Sequence, residues 1–108
     1  MTQTPSPLPI GQVVEAVFED FSVRITIRSE RELTVDMIAG SNTGFSDTIA
    51  YEAVTIRDGL IVLSWQEHIG STIVHVLDLD SCSTYLVVTP AKGGFMRRKG
   101  RIDIKSSA

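Results

Sequence analysis

Residues 51–79 read YEAVTIRDGLIVLSWQEHIGSTIVHVLDL, and the way this stretch is punctuated decides the fold. Three apolar-rich runs are separated by Asp58-Gly59 and by His68-Ile69-Gly70-Ser71. A D-G pair, or a short gap containing glycine, between strand-like runs is a strong hairpin signal. The stretch therefore predicts a three-stranded antiparallel meander that the rest of the chain extends.

Working outward, each run has a two-residue period. In 60–67, Ile61, Leu63, Trp65 and Glu67 share a face. In 72–79, Ile73, His75, Leu77 and Leu79 oppose Thr72, Val74, Val76 and Asp78. Both runs are apolar on both faces near their middles, which marks central strands. In 48–57, Tyr51, Ala53, Thr55 and Arg57 share a face opposite Glu52, Val54 and Ile56. A four-residue gap after Glu67 would set Glu67 opposite Thr72, Trp65 opposite Val74 and Leu63 opposite Val76. His75 would then lie on the other face, opposite Ser64. A gap of different parity reverses that assignment.

Upstream, Phe21, Val23, Ile25 and Ile27 alternate with Ser22, Arg24, Thr26 and Arg28, the mark of a half-buried strand. Leu33, Val35 and Met37 give another. Residues 12–18 give a first strand, and 12–19 is the one place where a short helix is also readable. The Gly40–Gly44 breaker cluster predicts a loop, with Phe45 beside it as an anchor or a cap. Downstream, 84–89 is a strand stopped by Pro90. Phe95-Met96 with 101–105 makes an eighth, interrupted at Gly100. Many short strands with turn residues between them indicate an all-β sandwich or barrel. An antiparallel up-and-down β-barrel of about eight strands removes the sheet edges most economically. The domain plan is a proline-rich lead-in over 1–9, one barrel over 10–105, and a tail over 106–108.

At 108 residues, with 43% hydrophobic and 21% charged, the chain suits one ordinary globular domain. Its lone cysteine, Cys82, rules out an intrachain disulfide. Residues 1–9 lack the basic and apolar regions of a signal peptide, and no apolar run approaches the ~20 residues of a membrane helix. The expectation is a cytoplasmic protein with no membrane partner. Charge is uneven: residues 1–91 hold four arginines against twelve acids, whereas 92–108 hold six basic residues against Asp103. No aromatic cluster accompanies the basic run, so it reads as a solvated edge strand drawn to the acidic body, with no nucleic-acid partner.

The order and spacing of Tyr51-Glu52-Ala53-Val54, Ile56-Arg57-x-Gly59, Trp65-x-Glu67, Gly70-x-Thr72 and Val76-Leu77-Asp78 resemble the MoaF-related domain, a small calycin (lipocalin-like) family. The resemblance covers roughly residues 11–89 and leaves out the basic end. It implies a barrel that binds small, often apolar, molecules inside. A distantly related calycin group, the phenolic acid decarboxylases, uses that interior for catalysis.

Three functions follow as expectations. The first is a small-molecule binding protein for an apolar or aromatic, possibly acidic, ligand. Tyr51, Arg57, Leu63, Trp65, Val74 and His75 are its candidate contacts, Arg57 and Tyr51 orienting a carboxylate. The second is a cofactor-free decarboxylase, isomerase or cyclase. There Glu67, desolvated beside the Trp65 indole, is the general acid or base. The third is a filled barrel serving as a structural, homodimeric protein. The histidines, the acids and Cys82 form no metal-ligand spacing, so neither metal nor cofactor is expected. No nucleophile elbow surrounds Ser64.

Overall fold

The computed structural model describes residues 8–105. Residues 1–7 of the expected 1–9 lead-in, and the expected tail over 106–108, lie outside the described residues. Eight strands follow in order: β1 (Val13–Val17), β2 (Ser22–Ile27), β3 (Glu32–Ala39), β4 (Ser46–Arg57), β5 (Leu60–Gln66), β6 (Thr72–Asp78), β7 (Ser83–Thr89) and β8 (Met96–Lys105). Each pairs antiparallel with the next, and β8 returns to β1, from Val13 opposite Lys105 to Val17 opposite Arg101. The fold is the all-β, closed, up-and-down barrel that the alternation predicts. Residues 13–17, where a helix was also readable, are strand.

Alternation places one side chain in two inside. Val14, Ile25, Ile27, Leu33, Leu63, Leu77 and Ile102 are fully buried. Each such side chain stabilises the fold by roughly 1.5–3 kcal/mol relative to exposure. Leu8 joins this core at 3% exposure, so packing begins ahead of the expected start at Ile10, which is itself exposed.

Two features of β8 correct the sequence reading. The strand is continuous through Gly100, because the missing side chain lets β8 cross close to Val17 and Phe18. A Cβ at Gly100 would lie 2.7 Å from Phe18 Cδ1. Nor is the basic segment an edge strand: β8 is paired on both sides, with β7 and β1. Its Arg98 clamps Asp20 in the β1–β2 turn with N···O distances of 3.0 and 3.1 Å.

The β5–β6 register is also corrected. Glu67 N–H donates to Ser71 O, and Gly70 N–H to Glu67 O, both at 2.8 Å. Three residues, not four, therefore span the turn, with Gly70 at φ +97°, a positive angle that glycine adopts without steric cost. The whole register moves by one. Trp65 faces Ile73, Leu63 faces His75, and Ser64 faces Val74. His75 thus points inward with Trp65, and Val74 points out. A one-residue slip exchanges the two faces of a strand.

The Asp58-Gly59 hairpin forms where expected, with Gly59 at φ +80°. A bulge between Thr55 and Arg57 breaks the alternation just before it. Tyr51 stays inside, while Arg57 turns out and meets Asp80 at 3.4 Å.

Candidate functional site

The turns 18–21, 40–45 and 67–71 all lie at one end of the barrel, because odd-to-even connections share that end. Between them opens a cavity of about 450 Å³. Its inner wall is apolar, from Val23, Val35, Met37, Ile73, Leu86 and Val88. Its mouth carries Asp20, Ser41, Asn42, Glu67 and Ser71, with Phe21, Phe45 and Ile69 beside them. At the opposite end the Tyr51 hydroxyl donates to Ser29 O at 3.2 Å, helping to close the interior.

The cavity gathers three of the residues singled out from sequence: Trp65, Glu67 and His75. The other four lie elsewhere. Leu63 is fully buried beneath the cavity, opposite His75, and Tyr51 is committed to the closed end. Val74 is on the outer face between Ser64 and Val87. Arg57 is outside, at the far end. The carboxylate-orienting pair of Tyr51 and Arg57 is therefore not assembled around the cavity. No lysine or arginine is among the lining residues. Sequence reasoning did not find Phe21, Met37, Asn42 or Ser71 as site residues. The Gly40–Gly44 cluster was the signal for the second wall of the mouth, and Phe45, flagged there, packs against the core while lining the opening.

His75 is the distinctive group. It is 1% exposed, and neither ring nitrogen has a hydrogen-bond partner. Its neighbours include two aromatic rings, Phe18 at 6.1 Å and Trp65 at 6.2 Å between centroids. Burial penalises the imidazolium and lowers the pKa from 6.5 to about 4. At neutral pH the ring is uncharged, offering one donor and one acceptor.

Glu67 sits above it at the mouth. Desolvation raises its pKa; the Trp65 indole N–H, donating to Oε2 at 3.3 Å, opposes this, and the nearby Asp47 carboxylate adds to it. The turn bearing Glu67 is braced from β4. His68 N–H donates to Asp47 Oδ2 at 2.8 Å, and the His68 ring meets Asp47 Oδ1 at 2.7 Å. Burial would raise the Asp47 pKa, but these bonds leave it below the ordinary value. Across the mouth, the Arg98 hydrogen bonds hold Asp20 below its ordinary pKa. Among the described residues, no three His, Cys, Asp or Glu side chains are placed to hold a metal ion.

The sequence model of the MoaF-like family matches residues 10–103. The chain belongs to the MoaF-like family. The match runs past the 11–89 stretch of the resemblance and takes in most of the basic end, as it must when β8 is a stave of the barrel. A search of curated proteins found no match for this MoaF-like chain. Among solved structures, it is similar to one described as "a putative beta-lactamase from Burkholderia vietnamiensis", with a TM-score of 0.89 and 19% identity over 94% of this chain and 100% of that one. At that identity the likeness shows the barrel fold alone. No helix in the described residues of the MoaF-like chain is long and apolar enough to cross a membrane.

Proposed function

We propose that the barrel is a binding module that takes one small, largely apolar molecule into its interior. The observation that carries this reading is His75, buried on the cavity wall with both ring nitrogens unpartnered. Buried polar groups nearly always find partners, and an unpaired one costs about 1–3 kcal/mol. Both nitrogens are closed to water, so a ligand that turns the ring toward itself and supplies the missing bond removes that cost. Cavity size agrees: 450 Å³ falls in the range of roughly 300–1,000 Å³ usual for small-molecule sites. An interior left open to this extent favours binding over a filled structural barrel.

Native mass spectrometry of the purified protein, under gentle and then denaturing conditions, tests the proposal. A bound small molecule released on denaturation, and absent from a His75→Leu preparation, is the expected result. Retention of the same molecule by both proteins would overturn the role of His75.

A second reading has its own support in Glu67. A carboxyl with a raised pKa at the mouth of an apolar cavity is suited to general acid–base work. Under that reading Glu67→Gln abolishes turnover of the bound molecule while leaving its affinity within a few-fold.

A further inference from the structure

The charges around the cavity and the state of His75 constrain what can enter. This inference rests on the binding reading above and names the ligand class.

The inner wall offers one polar side chain with no partner, His75, among otherwise apolar ones, the Trp65 N–H being already bonded to Glu67. The ionisable groups among the other lining residues are Asp20 and Glu67, both acids. Of the cations at this end, Arg98 is spent on Asp20 through three contacts of 3.0–3.1 Å, and neither Lys92 nor Arg97 is a lining residue. An anion drawn into the cavity would pass the Glu67 carboxylate and the charge-balanced Asp20–Arg98 pair, and would reach a neutral ring with no cation among the lining residues. Burying an unpaired carboxylate is prohibitive. A cation seated on His75 fares little better. The lining carboxylates, Asp20 and Glu67, stand at the mouth. Glu67 is paired with Ser71, four residues along the chain from His75 and roughly 13 Å away between backbone positions, and the Trp65 indole lies between the two side chains. A carbonyl can accept from the ring N–H but cannot serve the bare nitrogen. A hydroxyl both donates and accepts, so it pairs with His75 in either tautomer.

We propose that the cavity selects an uncharged molecule bearing a hydroxyl on an apolar body, seated hydroxyl-inward on His75, and rejects the matching carboxylate. The polar groups of the mouth, Ser41, Asn42 and Ser71, then meet whatever polar substituent the outer end carries.

Isothermal titration at neutral pH with three matched probes tests this: para-butylphenol, para-butylbenzoate and butylbenzene. The phenol should bind the wild-type protein tighter than either of the others by on the order of ten-fold or more, the worth of one hydrogen bond to a buried, otherwise unpaired group. In His75→Leu the phenol should fall to the affinity of the hydrocarbon. Benzoate binding as tightly as phenol overturns the proposed selectivity while leaving a binding cavity in place, and so does butylbenzene matching phenol on the wild type. These comparisons need no variant to fold. If none of the three binds the wild-type protein, the binding reading and this inference fail together.

Discussion

The Trp65 and His75 rings meet edge to face, 6.2 Å apart at 60°, while the indole N–H donates to Glu67 at 3.3 Å. One side chain thus touches both polar groups of the cavity that differ most in environment. The histidine lies on the cavity wall beside two aromatic rings and is kept neutral by burial. The glutamate stands at the mouth, partly desolvated, with its proton held more tightly than usual. Both displacements come from withdrawing a charge from water, and they have opposite signs because one group is a base and the other an acid.

The first prediction concerns acid sensitivity. His75 has a folded pKa of about 4 against 6.5 in the unfolded chain. Between those values the unfolded state binds a proton that the folded state does not. Stability is therefore intact above the unfolded pKa, declines as pH falls from 6.5, and stops declining from this source near 4. The full span is worth about 3 kcal/mol. Glu67, with its raised pKa, opposes part of the loss. Urea midpoints followed from neutral pH to pH 4 should fall in the wild type and fall much less in His75→Leu. Equal slopes would show that His75 titrates normally.

The same substitution should also raise stability at neutral pH. Leucine has a volume close to that of histidine and needs no hydrogen bonds. Replacing an unpaired buried polar group with an apolar one of similar shape is neutral or favourable, here by about 1–2 kcal/mol. The gain would come with lost ligand binding, as expected where a polar group is kept for function. A His75→Leu protein less stable than the wild type in denaturant titration would count against an unpartnered imidazole.

These two predictions depend on a residue whose position the sequence left open. The strands themselves were legible, because Val, Ile, Leu and Thr alternate on β2, β5, β6 and β7 with turn residues between them. Asp58-Gly59 fixed one hairpin for the same local reason. The 67–71 turn was not legible in parity, since Ile69-Gly70 suits a turn of three residues or four. Only the Glu67–Ser71 pairing decides, and that pairing sends His75 inward and Val74 outward. Arg57 was misplaced for a related reason: strict alternation put it beside Tyr51, and the bulge after Thr55 cancels alternation there. The cavity is a property of closure. It collects side chains from strands far apart in the chain, and no local pattern announces which of them meet.

Gly100 offers a direct test of the barrel seam. Its backbone lies against Val17 and Phe18, and an added Cβ would collide with the Val17 carbonyl and the Phe18 ring. The ring can turn a little, but the carbonyl belongs to the β1–β8 ladder. Gly100→Ala should cost about 1–3 kcal/mol, as overpacking does. It should also raise hydrogen exchange selectively at Val17 and Arg101, a facing pair in that ladder. An alanine variant as stable as the wild type would mean that the β1–β8 seam has room for a side chain at this position.

The last prediction uses Trp65 as a reporter on Glu67. The chain has a single tryptophan, so its emission reads one site. Its indole N–H bonds to the Glu67 carboxylate, and protonating that carboxylate removes a negative charge from the edge of the ring. Because desolvation raises the Glu67 pKa above 4.5, the emission change should centre above 4.5, at a pH where most surface carboxylates are still ionised. Glu67→Gln keeps the shape and removes the titration. In the variant this step should vanish, leaving only the change near pH 4 where His75 takes up its proton. Filling the cavity should shift the wild-type step further upward, since an apolar ligand at the mouth excludes more water from Glu67. A step at or below 4.5, or one that survives in Glu67→Gln, would show that the glutamate is solvated and would remove the physical basis for giving it acid–base work.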